Sequence, residues 1–316
     1  MLKLVFALLF ATTAWAQPYP AKPIRIVVPY PPGGNADLVA RPIAQELGRI
    51  LNVPVIIDNR GGATGSIGAD AVARAPADGY TLLFATNNEM SVMSALQPNL
   101  PYDPVKSFEP ITLVATFPFA LVTRRSLPVR TINEMVTLAK QKPGTLTIAS
   151  AGNGSANHLI IEPFKSLFAI DVTHVPYKGG GPALADLVAG HVDASFATLT
   201  SIVGHVRSGK LTPLMVTSDS RSPVLPDVPS AAELGYHDLV ATNWNALFAP
   251  IGTPKDIIGK LHAALVSAAK EPAVQARVAG AGATIETSTP AALSTRVASE
   301  LARWSKVVKE ARITPD

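Results

Sequence analysis

Short apolar runs alternate with amphipathic stretches along most of the chain. Strand-like runs occur at Ile24–Val28, Val55–Asp58, Thr81–Ala85, Leu146–Ala149, Thr173–Val175, Ala194–Ala197 and Leu211–Val216. Between them the residue pattern predicts helices over Asn35–Ile50, Ser66–Ala75, Thr131–Lys140 and Pro182–Ala189. Strands in steady alternation with helices argue for an α/β protein with mainly parallel sheets. Helix starts are marked. Thr131 with Glu134 and Ser230 with Glu233 have capping-box spacing. Thr253-Pro254 and Thr289-Pro290 each place a cap residue before a first-turn proline. The final helix carries Leu293, Val297, Leu301, Trp304 and Val308 on one face, a stripe suited to core packing.

Two segments look like crossings between lobes. Ile111–Thr123 is a long β-like run, and Asn243–Ala249 follows the proline-dense stretch SPVLPDVPS. A chain that leaves by one and returns by the other makes a hinged pair. The first lobe is then discontinuous, residues 23–121 plus 248–316, and the second is 122–247. In open α/β folds ligands sit outside the carboxyl ends of the strands, here in the cleft between the lobes.

One local design occurs once in each lobe. IRIVVPYPPGGNADLVAR begins at Ile24 and LTIASAGNGSANHLIIEPF begins at Leu146. Each reads as a strand, a glycine-rich turn and a helix start. Such a turn aims unbonded backbone N–H groups and a positive helix end at one point, which suits an anion. In the first copy Tyr30 precedes the turn, Gly33 and Gly34 form it, Asn35 or the turn itself caps the helix, and Asp37 sits in the first helical turn. Asp37 and Arg41 also have the four-residue spacing of an intrahelical ion pair. In the second copy Gly152 and Gly154 permit close backbone approach, and Ser155 can cap the helix and offer a hydroxyl. His158 falls in the first turn, where a charged imidazole would oppose the helix dipole, so it is read as a neutral structural or supporting group. A third turn, DNRGGATGSIG, contributes Ala63 and Gly65 as a further wall of the cleft. PYKGGGPALADL, with Tyr177, Lys178 and Gly179, is its counterpart in the second lobe, and Thr86 and Asn87 end the third strand.

Composition adds limits. MLKLVFALLFATTAWA has a basic start, an apolar core and an A-x-A site ending at Ala16, the form of a secretory signal cleaved to leave a mature chain from Gln17. There is no Cys, which excludes disulfide scaffolds, thiolate metal sites and a cysteine nucleophile. Charged residues are 16%, and the net charge is +4, with the Lys and Arg residues scattered and no nucleic-acid signature. The six His residues lack metal-site spacing. The segment from Gly204 to Leu211 imitates a phosphate-binding loop but ends in Leu and sits between a helix and a strand, the reverse of the required order. Neither Ser66 nor Ser155 lies in a nucleophile elbow. No cofactor is expected.

The chain resembles the periplasmic solute receptors of the tripartite tricarboxylate transporter system, the Bug family. The marks run in order: VVPYPPGGNADLVAR, IIDNRGGATGSIGADAVARAPADGYTLL, LPYDPVKSFEPIT, GNGSANHL, THVPYKGGGPALADLVAGHVD, LPDVPSAAELGY and APIGTPKDII. The resemblance implies a type II periplasmic-binding-protein-like α/β fold, two lobes closing on a carboxylate. It implies that Gly33, Gly34 and Asn35, facing Asn153, Ser155, Ala156 and Asn157, grip the ligand through main-chain N–H groups, hydroxyls and water, and that Asp193 faces the cleft. Asn35 and the stretch NNEMSV from Asn87 depart from the usual pattern, so the cargo is not implied. The expected function is capture of a di-, tri- or aromatic carboxylate in the periplasm by a monomer that delivers it to membrane transporter subunits, with no chemistry performed. The rivals are an exported hydrolase using Ser155 and His158, and a ligand sensor for a membrane signalling partner.

Overall fold

The computed structural model describes residues 19–313 except Gly34, Pro98, Lys178, Ala281, Arg312 and the side chain of Thr64. The signal segment, Gly34 and Lys178 therefore lie outside the described residues. The elements run β1 (Ile24–Val28), α1 (Asn35–Leu51), β2 (Val55–Asn59), α2 (Ser66–Ala73) and β3 (Thr81–Thr86). A π turn (Asn88–Val92) leads into α3 (Met93–Leu96) and then β4 (Phe108–Arg124). The second lobe adds α4 (Ile132–Gln141), β5 (Thr147–Ser150), α5 (Ala156–Phe168), β6 (Thr173–Pro176), α6 (Gly180–Ala189), β7 (Ala194–Thr198), α7 (Leu199–Arg207) and β8 (Leu211–Val216). The chain then returns through β9 (Thr242–Pro250), α8 (Lys255–Lys270), α9 (Pro272–Gly280), β10 (Thr284–Ile285) and α10 (Pro290–Ala311).

Two sheets share one strand. The first has the order β2-β1-β3-β9-β4-β10, and the second β8-β4-β7-β5-β6. The handover falls between neighbouring residues of β4: Pro118 pairs with Thr242 of β9, and Phe119 pairs with Thr198 of β7. The burial of most of β4 explains its predominantly apolar sequence. Thr217 ties the two crossing segments together. Its hydroxyl accepts the Phe119 N–H at 3.0 Å and donates to the Ala241 carbonyl at 2.6 Å.

Three sequence expectations change. The wings are parallel, but every ladder made by β4 or β9 is antiparallel, so the sheets are mixed. Strands that leave one lobe and return to it cannot run parallel to each other side by side. Asn243–Ala249 is not a crossing segment, because β9 is hydrogen-bonded within the first sheet from Thr242 onward, ahead of the expected return at 248. The Ser230–Glu233 capping box is fully formed, with bonds of 3.0 and 3.2 Å, yet it opens one turn and no helix. Gly235, at φ +77°, takes the left-handed conformation that ends the turn at once.

Each sheet is covered on both faces. In the first lobe α1, α8 and α9 bury Ile43, Leu47, Leu261 and Val274 on one side, and α2 and α10 bury Val72, Leu293 and Val297 on the other. In the second, α4 and α5 bury Met135, Leu159 and Phe164, while α6 and α7 bury Leu187 and Ile202. The stripe on α10 divides between lobes: Leu293 and Val297 join the first core, and Trp304 joins the second. This layering sets the helices after β1, β5, β6 and β7 with their N-termini at the carboxyl edges of the strands, facing the other lobe.

The helix–sheet distance at α2 depends on Gly68. A Cβ there would lie 2.7 Å from Pro29 Cβ and 2.9 Å from the Arg60 carbonyl oxygen. Gly68→Ala gains ~1 kcal/mol of helix propensity and loses ~1–3 kcal/mol to overpacking against backbone, so a net destabilisation of about 1 kcal/mol is expected in urea unfolding.

Candidate functional site

Helix starts in the second lobe converge on one cavity. A helix leaves its first N–H groups without intrahelical partners. Ser155 caps α5 by accepting the His158 N–H at 3.4 Å, which leaves the N–H groups of Ala156 and Asn157 facing outward. The helix α6 begins at Gly180 and Gly181 after Gly179, whose own N–H donates to the Ala151 carbonyl at 3.0 Å. Pro182 follows in the first turn, where a missing N–H costs nothing. The helix α7 starts after Thr198, whose hydroxyl pairs with that of Ser201 at 3.1 Å. Ala156, Asn157, Gly180, Gly181, Thr198 and Ser201 line a cavity of about 360 Å³, closed by Phe119, Ser195 and Ala197 and, from the first lobe, by Asn88 and Asn243. Among the described residues that line it there is no charged side chain.

The lobes touch at the rim of this cavity. Asn35, at the start of α1, donates through Nδ2 to Thr200 Oγ1 at 3.2 Å. From the other side Gly282 abuts Thr200 so closely that a Cβ would come within 2.7 Å of its methyl carbon. These contacts bring the two lobes together at Thr200.

The first-lobe turn is braced by its own acid. Gly33, at φ +83°, donates its N–H to Asp37 Oδ2 at 2.9 Å. Asp37 is buried and also accepts from Arg41 Nε at 2.8 Å and Asn59 Nδ2 at 3.0 Å. Burial pulls its pKa up, but the Arg41, Gly33 and Asn59 hydrogen bonds outweigh it and hold the carboxyl below its ordinary value. Asp37 therefore orders the turn from behind and presents no free oxygen in this arrangement.

Behind the cavity wall lies a second buried acid, which the sequence did not single out. Glu89 accepts from the Thr86 N–H at 2.5 Å, the Thr86 hydroxyl at 2.6 Å and the Tyr30 hydroxyl at 2.8 Å. Gly65, at φ +95°, makes room for it: a Cβ would stand 3.0 Å from Glu89 Oε2 and 3.1 Å from the Tyr30 hydroxyl. Burial raises the Glu89 pKa from 4.5 to about 7, against the pull of these donors. Burial and the neighbouring Glu89 push the Tyr30 phenol well above its ordinary value.

The remaining expected ligand residues separate into groups. Ser155, Ala156 and Asn157 stand in the cavity wall. Asn153 is exposed on the same loop, and Ala63 is exposed at φ +45° on the rim of the third turn. Asn87 is buried behind the wall. The Tyr177 hydroxyl is taken by Asp186 at 2.7 Å, which braces α6 from outside the cavity lining. Asp193 lies at the amino end of β7, the end away from the cavity. It accepts from Arg124 Nε at 2.9 Å, Thr147 N–H at 2.9 Å and Thr147 Oγ1 at 3.0 Å. The expectation that it faces the cleft is corrected: it links β7 to β4 and β5. His158 is buried, its Nδ1 accepts the Gly154 N–H at 2.9 Å, and its ring stacks on His174 at 3.8 Å. An imidazole that accepts at Nδ1 carries no proton there, as expected for a neutral structural His. Ser155 donates its hydroxyl to the Gly152 carbonyl at 2.6 Å and not to this ring.

Known proteins agree with this architecture. A family described as the tripartite tricarboxylate transporter family receptor matches residues 39–313. The chain belongs to that family. Protein BugT of Bordetella pertussis is 38% identical to this receptor over 312 residues, 97% of this chain and 96% of BugT. A Rhodopseudomonas palustris protein solved with adipate aligns with a TM-score of 0.81 at 33% identity, covering 94% of this chain and all of that one. MatC of the same organism, solved with bound malate, gives 0.76 at 35%, covering 92% of this chain and all of that one.

Sequence reasoning missed Gly180, Gly181, Thr198 and Ser201 of the receptor. The signals were available, three glycines before Pro182 and a Thr-x-x-Ser start after a strand, but neither sits in a twin of the first turn. Asn88 falls in the stretch NNEMSV that departs from the usual pattern, but Asn243 carries no local signal, since only the sheet order brings it to the cavity.

Two outcomes follow. Asp193→Ala should cost about 2 kcal/mol, the loss of hydrogen bonds to a partly exposed charge, while leaving ligand affinity unchanged by calorimetry. For Glu89 the folded pKa lies above the unfolded one. Its protonated form favours folding, so stability falls as pH rises from 4.5 to about 7 and is level above that. Glu89→Gln removes this slope. The stability difference between variant and wild type should grow by about 3 kcal/mol across that window in denaturant titrations.

Proposed function

We propose that this chain is a periplasmic solute receptor that captures a small organic acid between its lobes and presents it to the membrane subunits of a tripartite transporter. The observation that carries the reading is the convergence of three helix N-termini on an interlobe cavity whose described lining residues include no charged side chain. Converging helix amides attract a carboxylate and, being neutral, release it without breaking an ion pair. Hydrogen bonds to a charged group contribute roughly 1.5–3 kcal/mol each, so four or five supply about 6–15 kcal/mol, and the upper part of that range reaches the ~8 kcal/mol of micromolar binding after ordering and closure are offset. The adipate and malate held by two relatives support the ligand class. We place the lobe boundaries at the β4 handover near Pro118 and at Thr242, with Thr217 as the hinge clamp. The signal segment directs the chain out of the cytoplasm, with cleavage near Ala16, and the mature receptor acts as a monomer.

The receptor performs no chemistry on its cargo. A hydrolase reading needs Ser155 activated by His158, yet the hydroxyl is turned to Gly152 and the imidazole Nδ1 is engaged by Gly154. Calorimetry of the chain against mono-, di-, tricarboxylic, hydroxy and aromatic acids should find at least one with micromolar affinity. Gly181 has open space where a Cβ would project. Gly181→Val should fill that space and weaken the same acid tenfold or more, ~1.4 kcal/mol, with thermal stability preserved. Unchanged affinity would remove the cavity from the account.

A further inference from the structure

Glu89 is completely buried, makes no ion pair among the described residues, and governs the first-lobe end of the cavity. The Thr86 and Tyr30 hydroxyls lie 3.0 Å apart and both reach Glu89 Oε2; with the carboxylate ionised both hydrogens go to it, and the two oxygens are left to accept. Asn88 supplies both bonds: its N–H reaches Thr86 Oγ1 at 3.1 Å and its Nδ2 reaches the Tyr30 hydroxyl at 3.4 Å. Asn88 lines the cavity. With its amide nitrogen turned back into the network, its carbonyl oxygen is the atom left for a ligand. A buried carboxylate thus fixes, through two hydroxyls, an acceptor on the cavity wall.

A second observation points the same way. Asn245 of β9 is fully buried beside Thr86, and neither its Oδ1 nor its Nδ2 has a hydrogen-bond partner among the described residues. Strand alternation sets it on the same face as Asn243, which lines the cavity. An amide held so is satisfied by a group that both donates and accepts. A carboxylate only accepts, and would leave Oδ1 bare.

We propose that the first-lobe end of the cleft receives a group that both donates and accepts hydrogen bonds, a hydroxyl or carboxamide, so that the cargo is a monocarboxylate bearing such a group and not a diacid. The inference rests on the reading of the second-lobe amides as the carboxylate grip and deepens it. Glu89 acts here as a positioning residue.

The test is calorimetry on the chain with three matched pairs: succinate and succinamate, adipate and adipamate, terephthalate and its monoamide. At about pH 8.5 Glu89 is ionised. The wild type should bind the better monoamide roughly tenfold or more tightly than its diacid, and Glu89→Gln should bring that ratio to within roughly threefold, since its amide can donate to the hydroxyl oxygens and turn them outward. A merely structural role would weaken both members alike and leave the ratio unmoved. A diacid bound as tightly as its monoamide by the wild type, which needs no variant, would overturn the inference while leaving the carboxylate grip intact. So would an unchanged ratio in Glu89→Gln. No binding by any of the six acids would overturn the inference, and no binding across the wider acid panel would overturn the reading beneath it as well.

Discussion

A helix begins with N–H groups that its own backbone cannot satisfy, and the second lobe gathers three such beginnings around one small volume. Everything else in the fold serves that convergence. Parallel strands followed by helices put helix starts on the carboxyl edge of the sheet, and β5, β6 and β7 lie side by side, so α5, α6 and α7 open toward the same place. Small residues at those starts, Ala156, Gly180 and Gly181, keep side chains from shielding the amides. Hydroxyls at Ser155, Thr198 and Ser201 bond locally and fix the loops without adding charge.

The first lobe handles the same problem differently. Its glycine turn and its third strand end also present donors, but the chain supplies acids of its own to meet them. Asp37 takes the Gly33 N–H, and Glu89 takes the Thr86 N–H and two hydroxyls. The two lobes are therefore unlike, one offering bare amides and the other donors already met by the chain's own carboxyl groups. The bridge from Asn35 to Thr200 joins them at the rim. A likeness between two sequence motifs thus hides a division of labour.

The strands and helices of both wings were legible because their apolar periodicity matched their burial, as in β1 and β8, whose limits agree with the pattern residue for residue. The cap of α4 by Thr131 was legible for the same local reason. What failed was non-local. The direction of β9 depends on its pairing with β3 and β4, which no window of sequence contains. Asp193 shares a stretch of chain with the glycines that open α6, but that helix, Gly180–Ala189, carries the chain from the cavity edge of the sheet to the other edge before Asp193 is reached. Glu89 reads as one more polar residue after a strand, and only the room left by Gly65 shows that it is enclosed.

The central claim is that backbone amides at the starts of α5 and α6 hold the carboxylate. Amide proton chemical shifts of the isotope-labelled chain, recorded as a bound acid is titrated in, test this most directly. The account predicts downfield shifts, the mark of new hydrogen bonds to a charged acceptor, at Ala156, Asn157, Gly180 and Gly181. Saturation of the receptor with those four resonances unmoved, and with the changes centred elsewhere, would contradict it.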